Sequence, residues 1–263
     1  MLRTVFLILL TITLSTQCFA QYSETIASDR PGQAIGATTT GSRVLQVQAG
    51  IAQTGSTLGQ YSTQDFSTEV NLRYGIRERL ELNTLIDFQH RYSSTIGSPF
   101  SLFQGLKTGV RYHIYTGEGL IPSIGIQGRI NFPNLFDGIK SFVTPTIQLS
   151  LSQALGEKLG LTTNWGLEQG TKGDRLNAFY IINLGYTLNG KWSCFIENYG
   201  NYYRGSFFTY FDAGFGYLLN NNLLLDISGG LGANRALPNQ TANLTSFLSL
   251  GISARGKHKK LRN

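Results

Sequence analysis

Alternation of apolar and polar residues with a period of two, recurring in twelve segments, constrains this chain more than anything else in it. Successive side chains of a β-strand point to opposite faces, so each such segment has one apolar and one polar face. Thr68 to Ile76 shows the pattern cleanly, with Val70, Leu72, Tyr74 and Ile76 alternating with Glu69, Asn71 and Arg73. The preceding segment, Ser42 to Thr54, sets Arg43, Leu45, Val47, Ala49 and Ile51 against Gln46 and Gln48. The following one, Leu80 to Tyr92, sets Leu80, Leu82, Ile86 and Phe88 against Glu81, Asn83, Asp87, Gln89 and Arg91. The last places Leu248, Leu250 and Ile252 opposite Ser249 and Ser253.

Turn chemistry separates the segments, and the connections alternate in length. Arg77-Glu78-Arg79, Asn189-Gly190 and Asn220-Asn221-Asn222 are short. Gly55 to Ser67, Ser93 to Gln104, Pro133 to Ser141, Gly170 to Leu176, Gly200 to Gly205 and Asn234 to Asn243 read as longer, polar connections. Strands therefore run up and down between two unlike ends, as in outer-membrane barrels with short periplasmic turns and longer outer loops. The expectation is an all-β fold: a closed, antiparallel, up-and-down transmembrane β-barrel of about 12 strands. Periodicity alone does not distinguish it from a soluble barrel. Width does, because a lumen of that size is hard to fill with side chains in a small soluble domain. Tyr74, Tyr112, Trp165, Tyr186, Trp192 and Tyr217 fall near strand ends, where a lipid–water boundary favours aromatic rings with a polar handle.

Four regions follow. Residues 1–20 read as a signal peptide, with a positive start, an apolar stretch from Val5 to Leu14 and cleavage after Ala20, which implies export to the bacterial outer membrane. Residues 21–41 form an N-terminal segment, expected either in the periplasm or folded into the lumen as a plug. Residues 42–255 form the barrel, and 256–263 a basic tail. Cleavage removes Cys18, so the mature chain keeps Cys194, which reads as a small hydrophobe on the lipid face.

The net charge of +7 is concentrated at the ends. Without Arg3 and five cations of the last nine residues (Arg255, Lys257, Lys259, Lys260 and Arg262), the body is almost neutral, which argues against nucleic acid as a partner. The partners expected are outer-membrane lipid, the barrel-assembly machinery and a small solute of unknown identity.

Several stretches resemble one family. Ser28-Asp29-Arg30-Pro31, the run from Val44 to Gly50, the strand–turn–strand from Leu72 to Leu82 and the run from Asn222 to Gly232 are similar to the meta-pathway phenol-degradation family of outer-membrane proteins. The resemblance implies a barrel with a transport role across nearly all the mature chain. It departs from many such barrels at its end, where a basic tail follows Arg255.

Chemistry-bearing motifs are sparse. No metal-ligand spacing, phosphate loop or cofactor fingerprint is present, and no catalytic residue is assigned. His90 and His113 lie near opposite ends of adjacent strands, without a serine and acid at a recognisable spacing. The constellation that stands out is the charged set on the polar faces: Glu69, Arg73, Glu81, Asp87, Arg91, Lys107, Arg111, Arg129, Glu168, Glu197, Asp212 and Asp226. These are the lumen-facing candidates. They fit a passive channel for small solutes with a charged lumen. The alternatives are a structural barrel closed by its own ion pairs and, less favoured, an outer-membrane hydrolase.

Overall fold

The computed structural model describes residues 23–58, 61–93, 100–133, 142–170, 176–203, 206–234 and 243–256. Residues 1–20, expected as a signal peptide, and residues 257–263 of the expected basic tail lie outside them, as do several of the connections at the long-loop end.

Twelve strands form one closed antiparallel barrel in which each strand pairs with its sequence neighbours. They are β1 (Leu45–Leu58), β2 (Tyr61–Arg77), β3 (Leu80–Ser93), β4 (Phe100–Tyr115), β5 (Ser123–Pro133), β6 (Thr144–Ala154), β7 (Leu159–Gln169), β8 (Leu176–Thr187), β9 (Trp192–Tyr203), β10 (Ser206–Asn220), β11 (Leu223–Asn234) and β12 (Asn243–Arg255). Closure is made by β1 and β12, with Gln46 opposite Arg255 and Gly50 opposite Gly251. No strand is left with a free edge, the condition a hydrocarbon environment imposes on backbone polar groups.

The faces are inverted relative to a water-soluble protein. Arg73, Glu81, Arg111 and His113 are almost fully buried, whereas Ile51, Ile196, Phe211 and Leu231 are well over half exposed. Aromatic rings mark two levels on the outside. Trp192 and Tyr217 touch, with centroids 4.6 Å apart, near the short-turn end. At the other level Tyr180 stacks on Phe207 at 5.7 Å and leans against Trp165 at 6.2 Å. On β10 the interval from Phe207 to Tyr217 corresponds to roughly 33 Å of strand, or about 25 Å along the membrane normal after tilting, the height of an apolar barrel band. Cys194 shares the outward parity of Trp192 and Ile196.

Several boundaries differ from the sequence reading. Ser42 and Arg43 form a turn, with Arg43 at a φ of 59°, and β1 begins at Leu45. Most of the Gly55–Ser67 connection is strand, since Thr57 pairs with Ser62. Gly200 to Tyr203 continues β9, and Phe100 to Gln104 opens β4. Beyond the apolar band both faces of a strand meet water, so alternation stops while the hydrogen-bond ladder continues.

Placing a cation in the middle of the apolar band tests this orientation. Ile196→Arg, midway along β9, is expected to destabilise the lipid-inserted barrel by about 2–4 kcal/mol in a denaturant titration. The inward Ser228→Ala change is expected to cost far less.

Candidate functional site: a charged lumen crossed by the N-terminal segment

The chain from Ser23 to Val44 runs inside the barrel rather than in its wall. It begins at the short-turn end, where Arg255 donates to the carbonyls of Ser23, Glu24 and Thr25, and Ile26 N donates to Asn221 O. It ends beside β2, where Arg43 N donates to Gly75 O and Gly75 N to Val44 O. Between these points it touches most of the inner wall.

Asp29 lies at the centre of a buried charge cluster. Arg111 donates to both its oxygens, at 3.1 and 2.7 Å, and Arg73 Nη1 lies 3.4 Å away. Arg73 in turn makes a two-pronged pair with Glu81, with both nitrogen–oxygen distances 2.9 Å. Such forked pairs are strong and geometrically specific. Burial by itself would raise the Asp29 carboxyl, but Arg111 and Arg73 outweigh it and hold the pKa at about 2. Glu81 also accepts from Thr40 N, which ties the same cluster to the end of the segment.

Arg30 points the other way. It reaches Asp226 at 3.1 Å and Ser249 at 2.9 Å, with Glu69 at 4.0 Å. Its guanidinium lies flat over Gly50 and Gly251, where a Cβ on either residue would collide with it. Gly32 follows with a φ of 92° and packs against Phe195, so neither its backbone conformation nor its space admits a side chain. Glu197 then receives Gln33 N at 2.7 Å and Ala34 N at 2.9 Å. Asn164 exchanges two hydrogen bonds with the Ile35 backbone, both 2.8 Å, as a strand neighbour would. Further along, Ala37 N donates to Ser152 Oγ, and its carbonyl lies 2.9 Å from His113 Nδ1. A carbonyl only accepts, so His113 carries its proton on Nδ1 and its Nε2 accepts from Thr116 Oγ1 at 2.8 Å.

The sequence-selected charges therefore divide into groups. Arg73, Glu81, Arg111, Glu197 and Asp226 bind the segment directly, and Glu69 faces Arg30. Arg129 crosses β4 over Gly109 to donate to Asn83 at 2.9 Å. Asp212 lies opposite Glu197 in the β9–β10 ladder. Asp87 and Lys107 stand on the inner parity of β3 and β4, and Glu168 on that of β7, outside the cluster. Arg91 lies on β3 opposite Asp65, and its side chain is outside the described residues. Missing from the sequence selection were Asn164 and three inward aromatics: Phe195, Tyr199 and Tyr210. Phe195 and Tyr199 share the parity of Glu197, so the alternation carries that signal for an aromatic as well as for a charge.

The segment divides the lumen. A chamber of 290 Å³ opens on its outer side, bordered by Arg30, Gln33, Glu69, Tyr199, Tyr210 and Phe247. A second chamber of 460 Å³ lies on the short-turn side, bordered by Ser28, Pro31, Ala34, Gly36, Lys158 and Phe195.

A closed twelve-stranded wall, apolar outside and charged inside, with a strap of its own chain across the lumen, defines an outer-membrane β-barrel. The sequence matches the family described as "Putative MetA-pathway of phenol degradation" over residues 28–250, and the chain belongs to that family. Among solved structures it is similar to an outer membrane channel from Pseudomonas putida F1, with a TM-score of 0.68 and 13% identity, covering 86% of this chain and 99% of that one. The KdgM porin, in complex with disordered oligogalacturonate, shares the fold at a TM-score of 0.51 and 8% identity, covering 80% and 99%. The NanC porin does so at 0.50 and 10%, covering 78% and 98%. No curated protein sequence matches the chain significantly.

The charge cluster has a pH signature. Asp29 is held below its ordinary 3.8, so its contribution is complete above that value and is lost as pH falls through about 2. Docking of the segment, followed by limited proteolysis near Arg30, is expected to persist at pH 5 and weaken progressively between pH 4 and pH 2. Asp29→Asn is expected to release the segment already at neutral pH, with a loss on the order of 2 kcal/mol.

Proposed function

We propose that the protein is a passive outer-membrane channel for small solutes, narrowed by its own N-terminal segment. The two polar chambers that flank a single strand of crossing chain carry this reading. Arg30, Gly32 and Gln33 border one chamber and Ser28, Pro31, Ala34 and Gly36 the other, so the segment lies between them. A solute of a few hundred Å³ or less could occupy either chamber, and displacement of the strap would join them. The family assignment and the fold shared with porins support transport over a purely structural role.

We read the protein as non-enzymatic. Both ring nitrogens of His113 are engaged in docking the segment and its adjoining turn, so the buried histidine serves packing rather than proton transfer. The mature chain is taken to begin at Gln21, two residues before Ser23 at the periplasmic mouth, with delivery to the lipid through the barrel-assembly machinery. An intact-mass measurement on the purified protein reads that cleavage directly.

Single-channel recording after refolding in lipid tests the channel reading, with heat-modifiable gel migration as the folding control. The intact barrel is expected to show small, steady conductance steps. Deletion of residues 23–40 is expected to increase the step severalfold. A folded barrel that stays silent with and without the segment would show a sealed structural barrel instead.

A further inference from the structure

From the geometry of β9 and β10 we infer a binding site for a divalent, oxygen-seeking cation between Asp212 and Glu197. The two residues are direct partners in the ladder, on the same inner face, and each is more than nine-tenths buried. Asp212 is the anomaly. Neither of its oxygens accepts from an amide, hydroxyl or cationic group, and its one polar neighbour is the Glu197 carboxyl, with which it can only share a proton. No ion pair reaches either residue among the described residues. The Arg30 guanidinium of the segment is committed to Asp226 and Ser249.

Two buried carboxylates without a counter-charge are costly, since a buried charge is normally paired or coordinated. Glu197 is already fixed from one side by Gln33 N, Ala34 N and Asn183 Nδ2, the last at 3.0 Å. Three of its roughly four lone-pair positions are thus filled, leaving one for a shared ligand. Asp212 presents both oxygens. The donor set is oxygen only with a formal charge of −2, which matches a hard divalent cation such as Ca²⁺ completed by water. Such an ion would bridge the wall at Asp212 to the carboxylate that holds the segment, and so strengthen the strap. It needs no conduction through the lumen, so the site stands or falls separately from the channel reading.

The neighbouring rings supply the assay. Tyr199 and Tyr210 occupy the next inward-facing pair along the same ladder, stacked with centroids 5.2 Å apart. Tb³⁺ replaces Ca²⁺ at oxygen sites and luminesces when an adjacent tyrosine is excited. Titration of the folded, detergent-solubilised protein with Tb³⁺ is expected to give a saturable tyrosine-sensitised signal that Ca²⁺ displaces. Asp212→Asn, checked for heat-modifiable folding, is expected to weaken binding at least tenfold, and Glu168→Gln to leave it unchanged. A wild-type protein without a saturable signal, or an Asp212→Asn protein that retains it, would overturn the site and mean that the two carboxyls are held by a shared proton.

Discussion

Lipid offers nothing to a backbone amide, and the structure follows from that. Every strand must be paired on both sides, so the sheet has to close, and closure at twelve strands leaves an interior too wide for side chains from the wall alone to fill. The outside is then free to be apolar, and the inside must solve a different problem. It is lined by charges that cost energy when buried and unpaired. The N-terminal segment answers that need by bringing Asp29, Arg30 and a run of backbone donors and acceptors to charges on opposite walls.

The segment is held by polarity rather than by apolar packing. Ile26, Ile35, Ala37 and Val44 are buried hydrophobes within it, but its specific register comes from paired groups: Asp29 with two guanidiniums, Asn164 with the Ile35 backbone, and Glu197 with two successive amides. Contacts of this kind are directional and fail together when geometry is lost. The strap is accordingly well defined where it is docked, yet it lacks the large apolar area that would make its position independent of pH or charge.

The strand count was legible in the sequence because the period of two survives wherever one face meets lipid. Val70, Leu72, Tyr74 and Ile76 against Glu69, Asn71 and Arg73 could hardly be read otherwise. The outer ends of β1, β2 and β9 were not legible, because Ser62, Thr63 and Gln64 are polar on both faces and look like loop. Nor were the partners of the charges. Asp29 and Arg111 are 82 positions apart, and Arg30 and Asp226 are 196, so no local pattern links them. Inward aromatics such as Phe195 were masked for a simpler reason: in an inverted protein, an aromatic residue is first read as facing lipid.

The route of the strap bears on how the barrel comes together. Its anchors lie on both sides of the β1–β12 junction: Asn221 in the β10–β11 turn with Asp226, Ser249 and Arg255 on the late strands, and Arg73, Gly75 and Glu81 on the early ones. It leads directly into β1 and is made before any strand, whereas several of its partners are made last. The strap therefore cannot finish docking until the first and last strands meet, and once docked it spans their junction from within. It is an internal staple across the seam, coupling completion of the wall to occupation of the lumen.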